Sequence, residues 1–154
     1  MKDQAARPTV DGRREAVAPR RVAPLDRAEA LRLLGTVSLG RIVFTQRALP
    51  AVRPVNHLMD GDDVIVRLHD GATLASLVAP ADAPGIVVAY EADAIDPETH
   101  VGWSVVVTGY ARRVTDAADL ARLAARLRPW AHHPAVNAAL RIRPDLVTGL
   151  RLVP

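Results

Sequence analysis

Hydrophobic and polar residues alternate with a period of two along much of the chain after residue 36, a pattern typical of β-strands that bury one face. The alternating segments are rich in Val and Ile and are separated by turn residues such as Gly, Pro and Asp. They predict strands at residues 37–45, 49–59, 63–68, 85–91, 102–114, 140–143 and 147–153. Since short loops join the first three strands, these strands form an antiparallel meander. The sequence therefore predicts a mainly β fold, and closure of the sheet into a barrel would remove its unpaired edges.

Three other segments carry the signals of α-helices. Asp26 followed by Glu29 resembles the start of a capping box, and the apolar stripe after it ends at Gly35, which predicts a short helix between them. Further helices are predicted at residues 72–79 and 116–127, and the second of these repeats leucine on one face. The predicted strands are thus accompanied by short flanking helices.

The length of 154 residues fits one folded domain, and charge divides the chain in two. Residues 1–24 contain six basic and three acidic side chains, several Pro and no apolar period, so we expect a disordered basic tail. Residues 25–154 carry 14 basic and 14 acidic side chains, a balance that speaks against a nucleic-acid-binding face. No segment approaches the roughly 18 apolar residues of a membrane span, and the first residues lack the apolar core of a secretory signal. We therefore expect a soluble cytoplasmic protein with no membrane or nucleic-acid partner.

Most catalytic and metal-binding templates are missing from the sequence. The chain has no Cys, which excludes disulfides, thiol catalysis and cysteine-bound metals. It contains neither a glycine-rich phosphate loop nor a Gly-x-Ser-x-Gly elbow. The five histidines lack HExxH spacing, and the adjacent His132 and His133 are typical of a solvated loop. We predict no metal site, and the sequence assigns no catalytic residue.

The most unusual predicted strand spans residues 49–59, because it carries Arg53, Pro54 and Asn56 where strands usually carry Val, Thr or Tyr. Proline has no N–H for the sheet ladder, so it belongs at an edge, at a bulge or where another molecule replaces the neighbouring strand. The residues alone leave open a solvated edge strand and a ligand-binding strand. Because Arg53 and Asn56 are three residues apart, a regular strand would point them to opposite faces, and a bulge would be needed to bring both to one ligand.

Two arginines on consecutive predicted strands suit an anion. Pairing around the turn at residues 60–62 would place Arg53 roughly opposite Arg67 or its neighbours, and two guanidinium groups side by side can hold a phosphate. The predicted helix that follows would add free N–H groups and the Thr73 hydroxyl to such a site. The alternative is that Arg67 forms an ion pair with a carboxylate such as Asp70.

Five segments of the chain carry a family resemblance. They are GRIVFT at residues 40–45, LPAVRPVNHLMDGDDVIVRL at 49–68, GWSVVVTGYARRV at 102–114, LRPWA at 127–131 and RIRPDLVTG at 141–149. In this order they resemble the flavin-binding split-barrel proteins of the pyridoxamine 5′-phosphate oxidase-like superfamily, over about residues 26–152. The resemblance implies a six-stranded antiparallel split β-barrel, a homodimer, and FMN bound at the dimer interface.

The resemblance also implies roles for ten residues. Residues 53–56 would run along the flavin ring, with the Asn56 amide at its pyrimidine edge. Arg67 and Leu68, with the segment up to Leu74, would hold the ribityl phosphate. Trp103 and Ser104 would come from the other subunit, although a Trp at the start of a strand is also commonly a core residue. The candidate cofactor-binding residues are therefore Arg53, Pro54, Val55, Asn56, Arg67, Leu68, Thr73, Leu74, Trp103 and Ser104.

The function implied by the resemblance is that of an FMN-binding oxidoreductase acting on an unknown small molecule, with the flavin as the electron carrier. One pair of residues departs from the family pattern, because Ala72 and Thr73 stand where related sequences tend to have Ser and Lys. Loss of one charge-assisted phosphate contact costs about 1.5–3 kcal/mol, or roughly 10- to 150-fold in affinity. The alternatives are therefore a non-catalytic flavin- or haem-binding storage protein and a deazaflavin-dependent reductase.

Overall fold

The computed structural model describes residues 21–68, 85–127 and 138–154. Within these residues the chain forms seven strands and two helices, and every strand pairing is antiparallel. In chain order the elements are β1 (Arg21–Pro24), α1 (Arg27–Leu34), β2 (Leu39–Gln46), β3 (Leu49–Asp60), β4 (Asp63–Leu68), β5 (Ile86–Ile95), β6 (Gly102–Arg113), α2 (Ala117–Arg126) and β7 (Ala138–Val153). The helix predicted at residues 72–79 lies outside the described residues.

Six of the strands close into a ring, and the seventh lies outside it. The order around the ring is β7, β4, β3, β2, β5 and β6, and β6 pairs with β7 again. The short β1 pairs with the end of β7, where Arg21 lies opposite Val153. The predicted mainly β, antiparallel split barrel with short flanking helices is confirmed, with one strand more than the six expected. Closure gives each ring strand a neighbour on both sides, which protects the sheet from edge-to-edge association.

The last four residues of the predicted tail form a strand. A disordered tail was expected up to Pro24, but Arg21–Pro24 form β1 on the sheet. Four residues that are exposed or half-buried give no alternating signal, and they become a strand because β7 offers them a pairing partner. The backbone N–H of Leu25 then donates a 2.8 Å hydrogen bond to the carbonyl of Gly149. Residues 1–20 lie outside the described residues, so the rest of the tail stays a prediction.

The two predicted C-terminal strands are one strand, β7, of 16 residues. A Pro-Asp pair in its middle is typical of a turn, but here Asp145 is the extra residue of a bulge. Thr108 pairs with Leu146 and Gly109 pairs with Pro144, so the ladder skips one residue of β7. A side chain on Gly109 would overlap the backbone of β7, which explains the glycine at this close approach.

The barrel interior and α1 form one hydrophobic core. The carboxylate of Asp26, the N-cap of α1, accepts a 2.8 Å hydrogen bond from the N–H of Glu29, and the helix ends at Gly35, as the sequence predicts. Its apolar face packs against the strands of the barrel. The largest fully buried side chains of this core include Leu34, Ile42, Val66, Tyr90, Val105, Leu140 and Ile142.

A smaller cluster lies between α2 and the outside of β4 and β7. The N-cap of α2 is Asp116, whose carboxylate accepts a 2.8 Å hydrogen bond from the N–H of Asp119. The buried members of the cluster are Ile65, Leu123, Leu127 and Ala139. Neither helix of the described part is long and apolar enough to cross a membrane.

Among the residues that the structure describes, none covers one side of the barrel wall. We call this the outer face; it is the surface that β3, β2, β5, β6 and β7, with the end of β4 at Arg67, turn away from the core. Residues paired in an antiparallel ladder point to the same side, so the register identifies the side chains of this face. Its exposed large hydrophobic side chains are Leu39, Val52, Val87, Ile95, Tyr110, Leu146 and Leu150.

Candidate functional site

The unusual strand β3 presents its central residues to two different faces. Its pairing with β2 is regular, with Asn56 opposite Leu39 and Arg53 opposite Ile42. Ile42 is fully buried in the core, whereas Leu39 is exposed. Asn56 therefore lies on the outer face and Arg53 on the inner side of the strand. Pro54 does not mark a bulge, and the side chains of Arg53 and Asn56 do not meet one ligand from the same face.

Arg53 lies over an aromatic ring at the rim of the core. Its guanidinium carbon is 5.9 Å from the ring centroid of Phe44, and Nη1 donates a 2.8 Å hydrogen bond to the carbonyl of Val52. The neighbouring Val55 is buried in the core, and Pro54 is exposed on the other side of the strand. The contact with Phe44 is at the outer limit of cation–π distances, so it holds Arg53 only weakly.

Arg67 lies beside Asn56 and not beside Arg53. β3 and β4 pair with His57 opposite Val66, so the next residue of β4 is level with Asn56. The expected position of Arg53 opposite Arg67 or its neighbours is wrong, because Arg67 is level with Asn56, three residues further along β3. Beside Asn56 the outer face therefore carries Arg67 alone, and not the expected pair of Arg53 and Arg67.

The Arg67 guanidinium is partly buried, and a backbone carbonyl holds it. Its Nη1 donates a 3.3 Å hydrogen bond to the carbonyl of Leu127, the C-cap residue of α2. Within the described ranges no carboxylate forms an ion pair with Arg67. The alternative partner Asp70 lies outside these ranges. Among the described residues the partner of the guanidinium is a neutral carbonyl, which orients it without cancelling its charge, so the position can attract an anion.

Of the other predicted site residues, the structure describes Trp103, Ser104 and the backbone of Leu68. Trp103 is 7% exposed and belongs to the main core, so it is a packing residue of the barrel. Ser104, the next residue of β6, lies on the outer face. Leu68 is the last residue of β4. Thr73 and Leu74 lie outside the described residues.

A buried pair of hydrogen-bonded rings lies directly behind Asn56. His57 is 4% exposed, and its Nε2–H donates a 2.8 Å hydrogen bond to the carbonyl of Leu34. Since a carbonyl only accepts, Nδ1 carries no proton, and the Tyr90 hydroxyl donates to it at 2.5 Å. Burial lowers the pKa of His57, and it raises the pKa of Tyr90, with a smaller contribution from the charge of Glu91. The pair is therefore neutral near pH 7 and ties β3 to α1 and β5.

Two carboxylates and an arginine form a second polar group on the outer face. Glu91 and Asp93 are two residues apart on β5 and therefore point to the same side. Nη1 of Arg41 lies 3.5 Å from a Glu91 oxygen and 4.0 Å from an Asp93 oxygen. Burial raises the pKa of Glu91, as do the hydrogen bond and charge of Asp93, and Arg41 opposes this. The sequence did not indicate this group, because the predicted strand ended at Glu91, whereas β5 continues to Ile95 and includes Asp93.

Potential metal ligands do not converge in the part of the chain that the structure describes. No group of three His, Asp or Glu side chains suitable for a metal ion is found there. His57 uses both ring nitrogens in hydrogen bonds, so it offers no lone pair to an iron or zinc ion. The loop residues His132 and His133 lie outside the described ranges.

Nearly the whole described chain resembles one known protein family. Residues 26–151 match the family described as pyridoxamine 5′-phosphate oxidase. The chain belongs to the pyridoxamine 5′-phosphate oxidase family. The family resemblance expected from the sequence is thereby confirmed, and the matched residues include nearly the whole six-stranded ring of the pyridoxamine 5′-phosphate oxidase fold.

Individual proteins resemble this member of the pyridoxamine 5′-phosphate oxidase family over most of its length. An uncharacterized protein of Mycobacterium tuberculosis is 48% identical over 134 residues, which cover 87% of this chain and 88% of that protein. The solved structure of an FAD-binding protein from Mycobacterium smegmatis is 31% identical with a TM-score of 0.63, covering 85% of this chain and 98% of that chain. An FAD- and haem-binding protein from Mycobacterium smegmatis is 19% identical with a TM-score of 0.62, covering 86% and 73%, and this likeness shows the fold alone.

Proposed function

We propose that the chain binds FMN on its outer face, where two copies meet, and acts as an oxidoreductase on a small molecule. The redox chemistry would be that of the flavin, and the residues of the chain would bind, orient and shield it. The observation that carries the proposal is Arg67, a partly buried guanidinium level with Asn56 whose hydrogen-bond partner is a neutral carbonyl. A relative that is 31% identical and binds FAD supports a flavin as the ligand.

Arg67 would hold the phosphate of FMN. A guanidinium presents five N–H donors in a planar fork that matches phosphate oxygens. Among the described contacts of Arg67, only Nη1 is engaged, by Leu127. A carboxylate partner would cancel the positive charge, whereas this carbonyl leaves the charge available to a doubly charged anion.

Asn56 would meet the edge of the flavin ring. Its amide carries both a donor and an acceptor, as the pyrimidine edge of a flavin does. Arg67 is level with Asn56, but its side chain extends away from β3 towards the end of α2. One ligand could therefore contact Asn56 with its ring and the Arg67 guanidinium with its phosphate. Pro54 lies on the same face and offers an apolar surface without a competing N–H.

A second copy of the chain would cover the outer face. Val87 and Leu146 on this face are 58% and 59% exposed, and contiguous exposed apolar surface is typical of an association interface. Asn56 and Ser104 share the face, so pairing two copies would bring the proposed ligand site into the interface. The dimer would place Ser104 of one copy near the flavin of the other.

Sedimentation analysis tests the dimer. We expect a dimer for the wild type and a shift to monomer for Leu146→Arg, which puts a charge into the apolar face. Leu49→Arg is the matched control, because Leu49 is 68% exposed but points to the other side of β3. A wild type that stays monomeric at all concentrations contradicts the dimer.

The absorbance spectrum of the purified protein tests the cofactor. Flavin bands and the release of FMN on denaturation, identified by mass, are the expected results. A Soret band would show that the ligand is haem and not a flavin. A colourless protein that takes up no added FMN would overturn the proposal. Consumption of NADH or NADPH by the flavin-loaded protein then distinguishes an oxidoreductase from a storage protein.

A further inference from the structure

Six charged side chains form an ionic cluster between α2 and the sheet. The cluster combines three carboxylates with three guanidinium groups, so its formal charges cancel. Its members are Asp60, Asp63, Asp119, Arg122, Arg126 and Arg141.

Asp60, the last residue of β3, is the centre of the ionic cluster. Arg122 of α2 binds it with both branches of its guanidinium, at 2.9 Å to Oδ1 and 3.0 Å to Oδ2. Arg141 of β7 donates to Oδ2 of Asp60 at 3.0 Å and to Asp63 at 3.1 Å. The hydrogen bonds from Arg122, followed by those from Arg141, hold the pKa of Asp60 far below its ordinary value. Directional bonds therefore tie α2 to the ends of β3, β4 and β7.

The apolar contact beneath α2 is small by comparison. Four buried side chains form it together with three partly buried ones, and only Leu120 and Leu123 lie within the helix itself. Non-directional packing of this size leaves a helix free to tilt or slide, whereas the ionic cluster fixes one side of it. Leu127 follows Arg122 by five residues, or about 7.5 Å along the helix axis. The carbonyl that holds Arg67 is thus carried by a helix whose place the ionic cluster determines.

We propose that the ionic cluster positions Arg67 to bind the phosphate of FMN. It does so by fixing the C-terminal end of α2, where the Leu127 carbonyl orients the Arg67 guanidinium. The inference rests on the proposed function, in which Arg67 binds the phosphate of FMN. The Leu127 carbonyl lies at the C-terminal end of α2, where the partial negative charge of a helix attracts a cation without neutralising it. If α2 becomes mobile, the Arg67 side chain can adopt more rotamers. FMN must then order this side chain on binding, and the entropy cost lowers the affinity for FMN. Arg122 is therefore a positioning residue that touches no ligand.

The effect on FMN can be separated from general loosening with riboflavin, which has the same ring and no phosphate. For Arg122→Ala we expect the Kd for FMN to rise about three- to tenfold, while the Kd for riboflavin stays within about twofold. Arg122→Lys keeps the charge but not the two-branched contact, and it should give a smaller loss of FMN affinity. Arg32→Ala is the matched control, because Arg32 makes a comparable exposed contact with Glu29 on α1. It should change neither Kd.

Three results would overturn the inference. Equal losses for FMN and riboflavin in Arg122→Ala would show that the ionic cluster supports the fold and not the phosphate contact. Unchanged Kd values for both ligands would show that α2 does not position Arg67. A wild type that binds neither FMN nor riboflavin would overturn the proposed function and this inference together. If the wild type binds FMN and the Arg122→Ala variant binds it equally well, the proposed function stands and only the positioning role of Arg122 is refuted.

Discussion

The hydroxyl of Tyr90 on β5 donates a hydrogen bond to Nδ1 of His57 on β3, and both rings are buried inside the barrel. The ring centroids are 5.0 Å apart in an edge-to-face arrangement with an interplanar angle of 70°. The second nitrogen of His57 binds the end of α1, so one imidazole joins three elements. Because His57 follows Asn56 directly, this pair fixes the strand that we propose as the flavin site.

Removing the Tyr90 hydroxyl should destabilise the protein. Tyr90→Phe keeps the ring but leaves Nδ1 of His57 buried without its donor, which costs about 1–3 kcal/mol of unfolding free energy. Urea denaturation measures the change. The control is Tyr110→Phe, because Tyr110 is exposed on the outer face, and we expect a change within about 0.5 kcal/mol. A Tyr90→Phe variant as stable as the wild type would contradict the role of the pair.

Stability should fall with acidification through His57. Burial lowers the pKa of His57 in the folded state, so below the ordinary value of 6.5 the unfolded chain binds a proton that the folded chain does not. The unfolding free energy therefore decreases as pH falls below about 6.5, by at most about 1.4 kcal/mol per pH unit for this one group. His57→Gln offers a donor and an acceptor but does not titrate. From pH 7.5 to 5 the wild type should lose more stability than this variant, and identical pH profiles would refute the assignment.

Gly40 on β2 leaves the space that Tyr90 occupies. A Cβ at this position would overlap the Tyr90 hydroxyl and ring and the backbone carbonyl of Glu91. We expect Gly40→Ala to destabilise the barrel by about 2 kcal/mol or more, because backbone and a buried ring must both shift. Gly35→Ala is the control, since its added Cβ would come no closer to any atom than 3.3 Å, at Cγ of Met59. Thermal unfolding should give a clearly lower melting temperature for Gly40→Ala than for Gly35→Ala. Equal melting temperatures would contradict the close packing around Gly40.

A change of sequence in the turn between β2 and β3 should stabilise the protein. Gln46 pairs with Leu49, and the two turn residues Arg47 and Ala48 have φ angles of 51° and 62°, a left-handed conformation that favours Asn and Gly. Replacing the turn by Asn-Gly should stabilise the protein by about 1 kcal/mol. Ala51→Gly, inside β3, should instead destabilise it by about 0.5–1 kcal/mol. Chemical denaturation distinguishes the two, and a destabilising Asn-Gly turn would contradict the φ assignment.

Local patterns predict most of the fold. Alternation located the ring strands, and the capping pattern at Asp26 located α1, because burial of one face and satisfaction of helix ends are decided within a few residues. The sequence did not predict β1, and it predicted two strands in place of β7. Both errors arise because a four-residue strand and a bulge at Asp145 depend on the partner strand. The same period of two correctly separated Arg53 from Asn56.

The candidate site was less predictable, because it depends on contacts between distant parts of the chain. The carbonyl that holds Arg67 belongs to a residue 60 positions further along the chain, and the partner of His57 is 33 positions away. Strand order and register decide such neighbours, and neither can be read from composition or spacing. The core position of Trp103 likewise follows from the direction of β6, which brings its buried side chains inward on alternate residues.

The affinity of two arginine variants for FMN tests the central claim most directly. Arg67→Ala should weaken FMN binding by about tenfold or more, since it removes the charged group proposed to hold the phosphate. Arg53→Ala should weaken it by less than about threefold, since Arg53 lies on the opposite side of β3, over Phe44. Fluorescence titration of FMN against both variants and the wild type measures the difference. A larger effect of Arg53→Ala, or negligible effects of both substitutions, would contradict the proposed site.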